Sequence, residues 1–223
     1  MKFENTLFGR AGSLMIDEGG NIYVDAAASD CSVHLEQHGP YNTTLKYYTA
    51  IAEQHLDLIA DGQIHVGYPK EAFLFYRFLR DTAAPKISTR ETSTKFFLKH
   101  VDDKGDHIMV DEEYNITGIV DWQFVRIVPS TEAFGPSLVT TDLRRLYSQN
   151  TGLSEEDLFL QQEFQAKNNA DLTGAFAGDD LAMRFVFGLS SELYRHEVVG
   201  MTEAVLTACG KTVNNMEEWI VKE

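Results

Sequence analysis

Two carboxylates in one short stretch set the chemical question. The run FFLKHVDDKGDHIMVDEEYNITGIVDWQF, Phe96 to Phe124, reads as strand, acidic loop, strand, tight turn, strand and a second acidic position. Asp102 lies in the loop and Asp121 just after the last strand. Delivered from adjacent strand ends, the pair would converge on one point. One carboxylate would then orient a hydroxyl nucleophile, and the other would hold a divalent metal, as phosphoryl transfer requires. Mg²⁺ prefers oxygen ligands, and a carboxylate with phosphate oxygens satisfies it. Asp102, Asp103 and Asp106 also crowd negative charge, which raises carboxyl pKa values unless a cation or Lys104 stands close. Such a loop is either a solvated turn, the ordinary fate of Asp- and Gly-rich segments, or a metal-binding one.

Elements around the stretch must position these groups. Leu14 to Val24, broken by Asp17-Glu18-Gly19-Gly20-Asn21, predicts a hairpin over Ser13–Val24. A loop rich in small and polar residues follows to Tyr41. Apolar residues at helical spacing predict a helix over Asn42–Ala60, stopped at Asp61-Gly62, and another from Pro69 to Arg80. Ala83 to Thr94 reads as a polar connector. The strand block runs from Lys95 to Phe124 with its turn at Glu112–Asn115. Val125 to Val139 reads as an ordered loop, and the remainder as helical. Within it, Ser154 with Asp157 forms a capping-box-like start, Asp179–Val198 predicts one long helix, and Asn214 or Asn215 would cap a last one.

Composition narrows the classes. The chain has 223 residues, enough for one sizeable core, and a formal net charge of −15. That charge argues against a nucleic-acid polymer or an anionic membrane as partner, though not against a nucleotide held by amides and a metal. No apolar run is long enough to span a bilayer, and the first residues lack a signal-like apolar core. The two cysteines, Cys31 and Cys209, suggest no disulfide framework, so the expected location is cytoplasmic. Cys31, His34 and His38 have a zinc-like C-x2-H-x3-H spacing without an evident fourth ligand. The aromatic residues Tyr47, Tyr48, Phe73, Phe75, Tyr76 and Phe78 suit core packing better than a ligand cage.

The run from His100 to Asp111, followed by Ile119-Val120-Asp121-Trp122, resembles the paired motif of the aminoglycoside phosphotransferase family, H-G-D-x-x-x-x-N and then h-h-D-[WF], where h is apolar. That family belongs to the protein-kinase-like superfamily, and the Val-Asp-Asp-Lys-Gly-Asp-His run is similar to its fungal branch. The resemblance runs from about Gly12 onward and implies an α+β fold: a kinase-like C-terminal lobe, mostly helical, whose short antiparallel hairpins carry the catalytic loop. It divides one lobe into an inter-lobe-like hairpin and loop (1–41), a helical part (42–94), the catalytic and metal-Asp strands (95–124) and a helical remainder (125–223). It implies Asp102 as the catalytic carboxylate, Lys104 as the cation steadying the transferred group, and Asp121 as the Mg²⁺ ligand. His107 falls where the family places an asparagine ligand, and His100 would be structural. Mg²⁺, ATP and a small-molecule alcohol are the implied cofactors and acceptor.

Before His100 there is no G-x-G-x-x-G and no V-A-I-K-like strand, so the N-terminal kinase lobe is expected to be absent. Two function classes follow. One is a small-molecule kinase. The other is a pseudokinase or repurposed small-molecule-binding protein that uses the cleft without ATP chemistry. Self-association or a partner subunit in place of the lobe is the accompanying expectation, marked by an exposed apolar face.

Overall fold

An aspartate closes the first hairpin. Strands β1 (Gly12–Ile16) and β2 (Ile22–Asp25) pair antiparallel with Ile16 opposite Ile22. Between them the Gly19 and Asn21 amides donate to Asp17 Oδ1 at 2.9 and 2.8 Å, and Asn21 Nδ2 donates to Oδ2 at 2.9 Å. Gly20 takes φ +79°, which glycine adopts without a Cβ clash. The expected hairpin is therefore present. The structure is a computed structural model and describes residues 11–17, 19–25, 39–91, 93–102, 104–122, 125–148, 150–176, 178–190, 193–213 and 215–222. Cys31, His34 and His38 lie outside the described residues.

Helix α1 (Thr44–Ala60) starts where Lys46 N–H donates to Thr43 Oγ1 at 3.2 Å, and α2 (Pro69–Phe78) carries proline in its first turn, where no intrahelical N–H is needed. The first part of the connector expected over Ala83–Thr94 is instead helical. A π-helical turn (Leu79–Ala83) leads straight into α3 (Ala84–Ser88). Pro85 lacks an N–H, and its ring would crowd the carbonyl of Asp81 in α geometry. The wider turn, closed by Ala84 N–H on Leu79 O, relieves that conflict. Ala83, Ala84 and Ile87 are buried, so tertiary packing overrides the polar look of the segment.

The aromatic faces go to the core. Tyr47, Tyr48, Phe75, Tyr76 and Phe78 are buried, while Phe73 is partly exposed. Tyr48 meets Phe185 edge to face at 4.8 Å, and the Tyr76 hydroxyl donates to Gly188 O at 2.9 Å. A Cβ on Gly188 would stand 2.8 Å from Phe75 Cζ, so glycine there permits the close approach.

The strand block divides between two sheets. Strand β3 (Phe97–Lys99) is separate from the hairpin of β4 (Ile108–Val110) and β5 (Ile116–Ile119). It pairs with β6 (Arg126–Val128), giving a four-stranded sheet of order β2-β1-β6-β3 beside the two-stranded β4-β5. The loop expected over Val125–Val139 is thus corrected to β6 and α4 (Ser130–Phe134). Ile127 and Val128 are buried in the sheet, and a run this short leaves no periodic signature. Glu91 seats α4: its carboxylate accepts from Ser130 Oγ at 2.6 Å, from the Thr131 amide at 2.8 Å and from Thr131 Oγ1.

Helices α5 (Leu143–Leu146), α6 (Glu155–Ala166), α7 (Ala170–Thr173), α8 (Leu181–Ser190), α9 (Arg195–Ala208) and α10 (Met216–Lys222) complete the fold. Ser154 and Asp157 form the reciprocal capping box at α6, each amide at 2.9 Å from the other side chain. Asn215 Oδ1 accepts from Glu217 N at 3.1 Å and caps α10. The single helix expected over Asp179–Val198 is two. Leu193 keeps the apolar period and is buried, yet it belongs to neither helix, and Tyr194 starts α9 with Glu197 returning to its amide at 2.7 Å. The molecule is mixed α+β, and among the described residues no helix is long and apolar enough to cross a membrane.

Glu132 of α4 is buried beside Arg126, whose Nη2 lies 4.0 Å from Oε1, with Lys99, Tyr47 and Tyr48 also facing it. Burial pushes its pKa up, against the pull of Arg126 first and then Lys99. The folded state therefore holds this proton more tightly than the unfolded chain. Its contribution is complete below the ordinary carboxylate range and is lost as pH rises through the folded value. We expect Glu132→Gln, which mimics the protonated form, to match wild type in urea unfolding at about pH 4 and to exceed it at pH 7. Wild type more stable than the variant at pH 7 would refute this.

Candidate functional site

The site is assembled where β3, β4 and β5 end. Lys99 Nζ donates to Glu132 O at 2.8 Å and fixes the end of β3. The next residue, His100, has Nε2 at 2.9 Å from Val120 O. A carbonyl only accepts, so Nε2 carries the proton in that contact. His100 thereby ties the end of the larger sheet to the end of the small hairpin. The Val120 amide donates to His107 O at 3.0 Å, and Trp122 Nε1 donates to Ile119 O at 2.7 Å. Held from both sides, Asp121 adopts φ +65°, a left-handed conformation that non-glycine residues rarely take and that concentrates at functional positions.

The acidic loop turns at Gly105, φ +90°, and brings its side chains back toward Asp121. Lys104 Nζ lies 2.9 Å from Asp102 Oδ1, and His107 Nε2 lies 3.0 Å from Asp102 Oδ2. Asp106 Oδ1 is 3.3 Å from the same His107 nitrogen. On the other edge of the ring, Nδ1 is 3.7 Å from Asp121 Oδ2. The two carboxylates are 40% and 36% exposed, neither sealed away, and the imidazole between them is 18% exposed. The Lys104 ammonium, then the His107 contact, holds the Asp102 carboxyl below its usual range despite some desolvation, and Asp102 raises the Lys104 pKa in return.

All four sequence-predicted residues, Asp102, Lys104, His107 and Asp121, are brought together. The route differs from the expectation. The strands preceding Asp102 and Asp121, β3 and β5, are in different sheets, and convergence depends on His107 and His100 bridging them. In the sequence Asp106 is only one of several crowded acids. Its adjacency to His107 is the signal that it would share the ring.

The donor set can be tested against a cation. An ionised carboxylate only accepts, so His107 Nε2 carries the proton toward Asp102, while Nδ1 faces Asp121 Oδ2 from the other edge of the ring. One nitrogen and one carboxylate oxygen can share an ion whose other ligands are phosphate and water. Among the described residues no group of three or more His, Cys, Asp or Glu side chains is arranged to hold a metal ion, so a closed protein cage is not formed. The carboxylate oxygen of Asp121 suits a hard cation such as Mg²⁺, while the imidazole nitrogen of His107 suits a softer transition metal better.

Concave sites are also formed elsewhere by described residues. One of about 560 Å³ is lined by Arg77, Phe78, Lys211 and Trp219, among others. Another, of about 400 Å³, lies between Val139 and the α6 residues Phe159 and Leu160.

No family model matches the chain, and neither a curated protein nor a solved structure matches it.

Proposed function

We propose that this chain is a kinase-like C-terminal lobe of the aminoglycoside phosphotransferase type, and that its site serves phosphoryl transfer from ATP to the hydroxyl of a small molecule. The observation that carries the reading is the shared imidazole: Asp102 on one nitrogen of His107 and Asp121 across from the other. Asp102 accepts or orients the acceptor hydroxyl proton, and its lowered pKa keeps it ionised for that role. Lys104 supplies positive charge next to it. Asp121, with His107, would hold Mg²⁺, which when bound neutralises phosphate charge. His107 passes the Asp102 charge to the cation side by donating through Nε2 and presenting Nδ1.

The test is titration calorimetry of the full chain with ATP in the presence and absence of Mg²⁺, followed by phosphate-transfer assays on a panel of small alcohols. Binding that requires Mg²⁺ and is lost in Asp121→Asn is expected. No heat and no thermal stabilisation at millimolar ATP and Mg²⁺ would overturn the reading.

A second reading is a binding protein without transfer chemistry. It would use the same cleft, where Asp102 and Asp121 are 40% and 36% exposed and so open to a small ligand. Stabilisation by an apolar small molecule, with none by nucleotide, would select it.

A further inference from the structure

The β4-β5 hairpin presents an apolar face to solvent. Its register sets Ile108 opposite Ile119 and Val110 opposite Ile116, with a bulge between Met109 and Val110, while Met109 opposes Gly118 on the other side. Cross-strand partners share a face, so four β-branched side chains lie together. Val110 and Ile116 are 51% and 66% exposed, and Ile108 and Ile119 are exposed as well. The hairpin has no third strand, and the outer edges of β4 and β5 have no sheet neighbour among the described residues. A two-stranded ribbon with such a face is poorly stable by itself in water, and free edges offer main-chain donors and acceptors.

Charge says what would cover it. The base of the face is flanked by Asp102, Asp106 and Asp121, and its tip by Asp111, Glu112 and Glu113. Lys104 is the lone Lys or Arg between His100 and Trp122, and it is committed to Asp102. A second copy fits badly. Edge-to-edge pairing of two hairpins sets tip against base or tip against tip, acid against acid in either case, between chains of net charge −15.

We propose that this face docks an extended polypeptide segment of alternating apolar and basic residues, added as a strand at the hairpin edge. Its apolar side chains cover Ile108, Val110, Ile116 and Ile119, and its basic ones meet the acids at tip and base. The proposal does not require phosphoryl transfer, but it shares Asp102 and Asp121 with the proposed transfer site, and its test is run without nucleotide or metal.

The probe is a short capped peptide alternating lysine and valine, with two controls: the same composition in blocked order, and the glutamate–valine equivalent. Binding to the full chain is read by calorimetry, and by Trp122 fluorescence in a Trp219→Phe background. The alternating cationic peptide is expected to bind, with affinity falling as salt rises. Val110→Thr with Ile116→Thr keeps charge and strand propensity and is expected to weaken it about tenfold or more, since two apolar contacts are lost. Circular dichroism checks that the variant is folded, and both positions face solvent in wild type. No binding, equal binding of the blocked-order peptide, or an unchanged affinity in the threonine variant would overturn the proposal. So would a concentration-dependent dimer in sedimentation that the same variant abolishes, which would assign the face to a second copy.

Discussion

Arg184→Ala is expected to cost about 3–5 kcal/mol of folding stability, the scale for removing one member of a buried, hydrogen-bonded charge pair. Arg184 is 0% exposed. Its Nε donates to Asp180 Oδ1 at 2.7 Å, and its two terminal nitrogens donate to the carbonyls of Arg145, Leu146, Ser148 and Asn150. These are the last carbonyls of α5 and the turn after it, of which Arg145 O also accepts from the Ser148 amide at 3.0 Å. The guanidinium thus fastens α8 to α5 and the loop ahead of α6. Alanine would strand several buried acceptors and leave Asp180, already pushed up by burial, without its main compensation. Arg184→Lys should recover part of the loss, because one ammonium cannot span the fan of acceptors that a planar fork serves. Adding Asp180→Asn to Arg184→Ala should not restore wild-type stability, since the carbonyls still lack the guanidinium donors. Urea unfolding decides it: a midpoint within about 1 kcal/mol of wild type at unchanged slope would contradict the assignment.

That arginine also shows what the chain makes legible. Leu181, Phe185 and Leu189 mark the buried stripe of α8, and Arg184 falls on the same stripe, four positions after Asp180. Spacing alone suggests an i,i+4 pair on a helix surface. Only the meeting of α8 with the end of α5, which is non-local, makes it a core group. The same division holds across the fold. Features written in short-range chemistry could be read: the Asp17 turn, the Ser154–Asp157 box, the asparagine cap of α10. Asp111 repeats the Asp17 device, accepting from the Asn115 amide at 2.8 Å and from Asn115 Nδ2, which explains the turn expected at Glu112–Asn115. Features set by distant partners could not be read. Strand β6 is buried only because β1 and β3 flank it, and the helical turn around Pro85 is held in place by the burial of Ala83, Ala84 and Ile87. At the site, the spacing of Asp102 and Asp121 suggested convergence. The means, two histidines bridging separate sheets, depends on tertiary placement of β3 that no local pattern encodes.

Asp102→Asn is expected to lower phosphate transfer by about 10²–10⁴-fold, the usual contribution of a positioned general base, while leaving fold and nucleotide affinity close to wild type. The amide keeps the size of the carboxylate and an oxygen able to accept from Lys104 or His107, at a position 40% exposed. What it loses is the charge that, in the proposed transfer, would draw the acceptor proton. A companion variant separates base chemistry from mere shape. Lys104 is the leading cause of the lowered Asp102 pKa, with His107 next. In wild type the carboxylate therefore stays ionised below the ordinary aspartate range, and the acid limb of kcat/KM should lie low. Lys104→Met removes the ammonium and keeps the length of the side chain, so the Asp102 pKa rises and the acid limb moves to higher pH. The same rise should appear in a carboxyl-carbon NMR titration of Asp102, with no substrate present. An acid limb that stays in place while the NMR titration shifts would mean that Asp102 is not the group whose ionisation governs transfer. Transfer within tenfold of wild type in Asp102→Asn would remove it from the chemistry, whatever the titration shows.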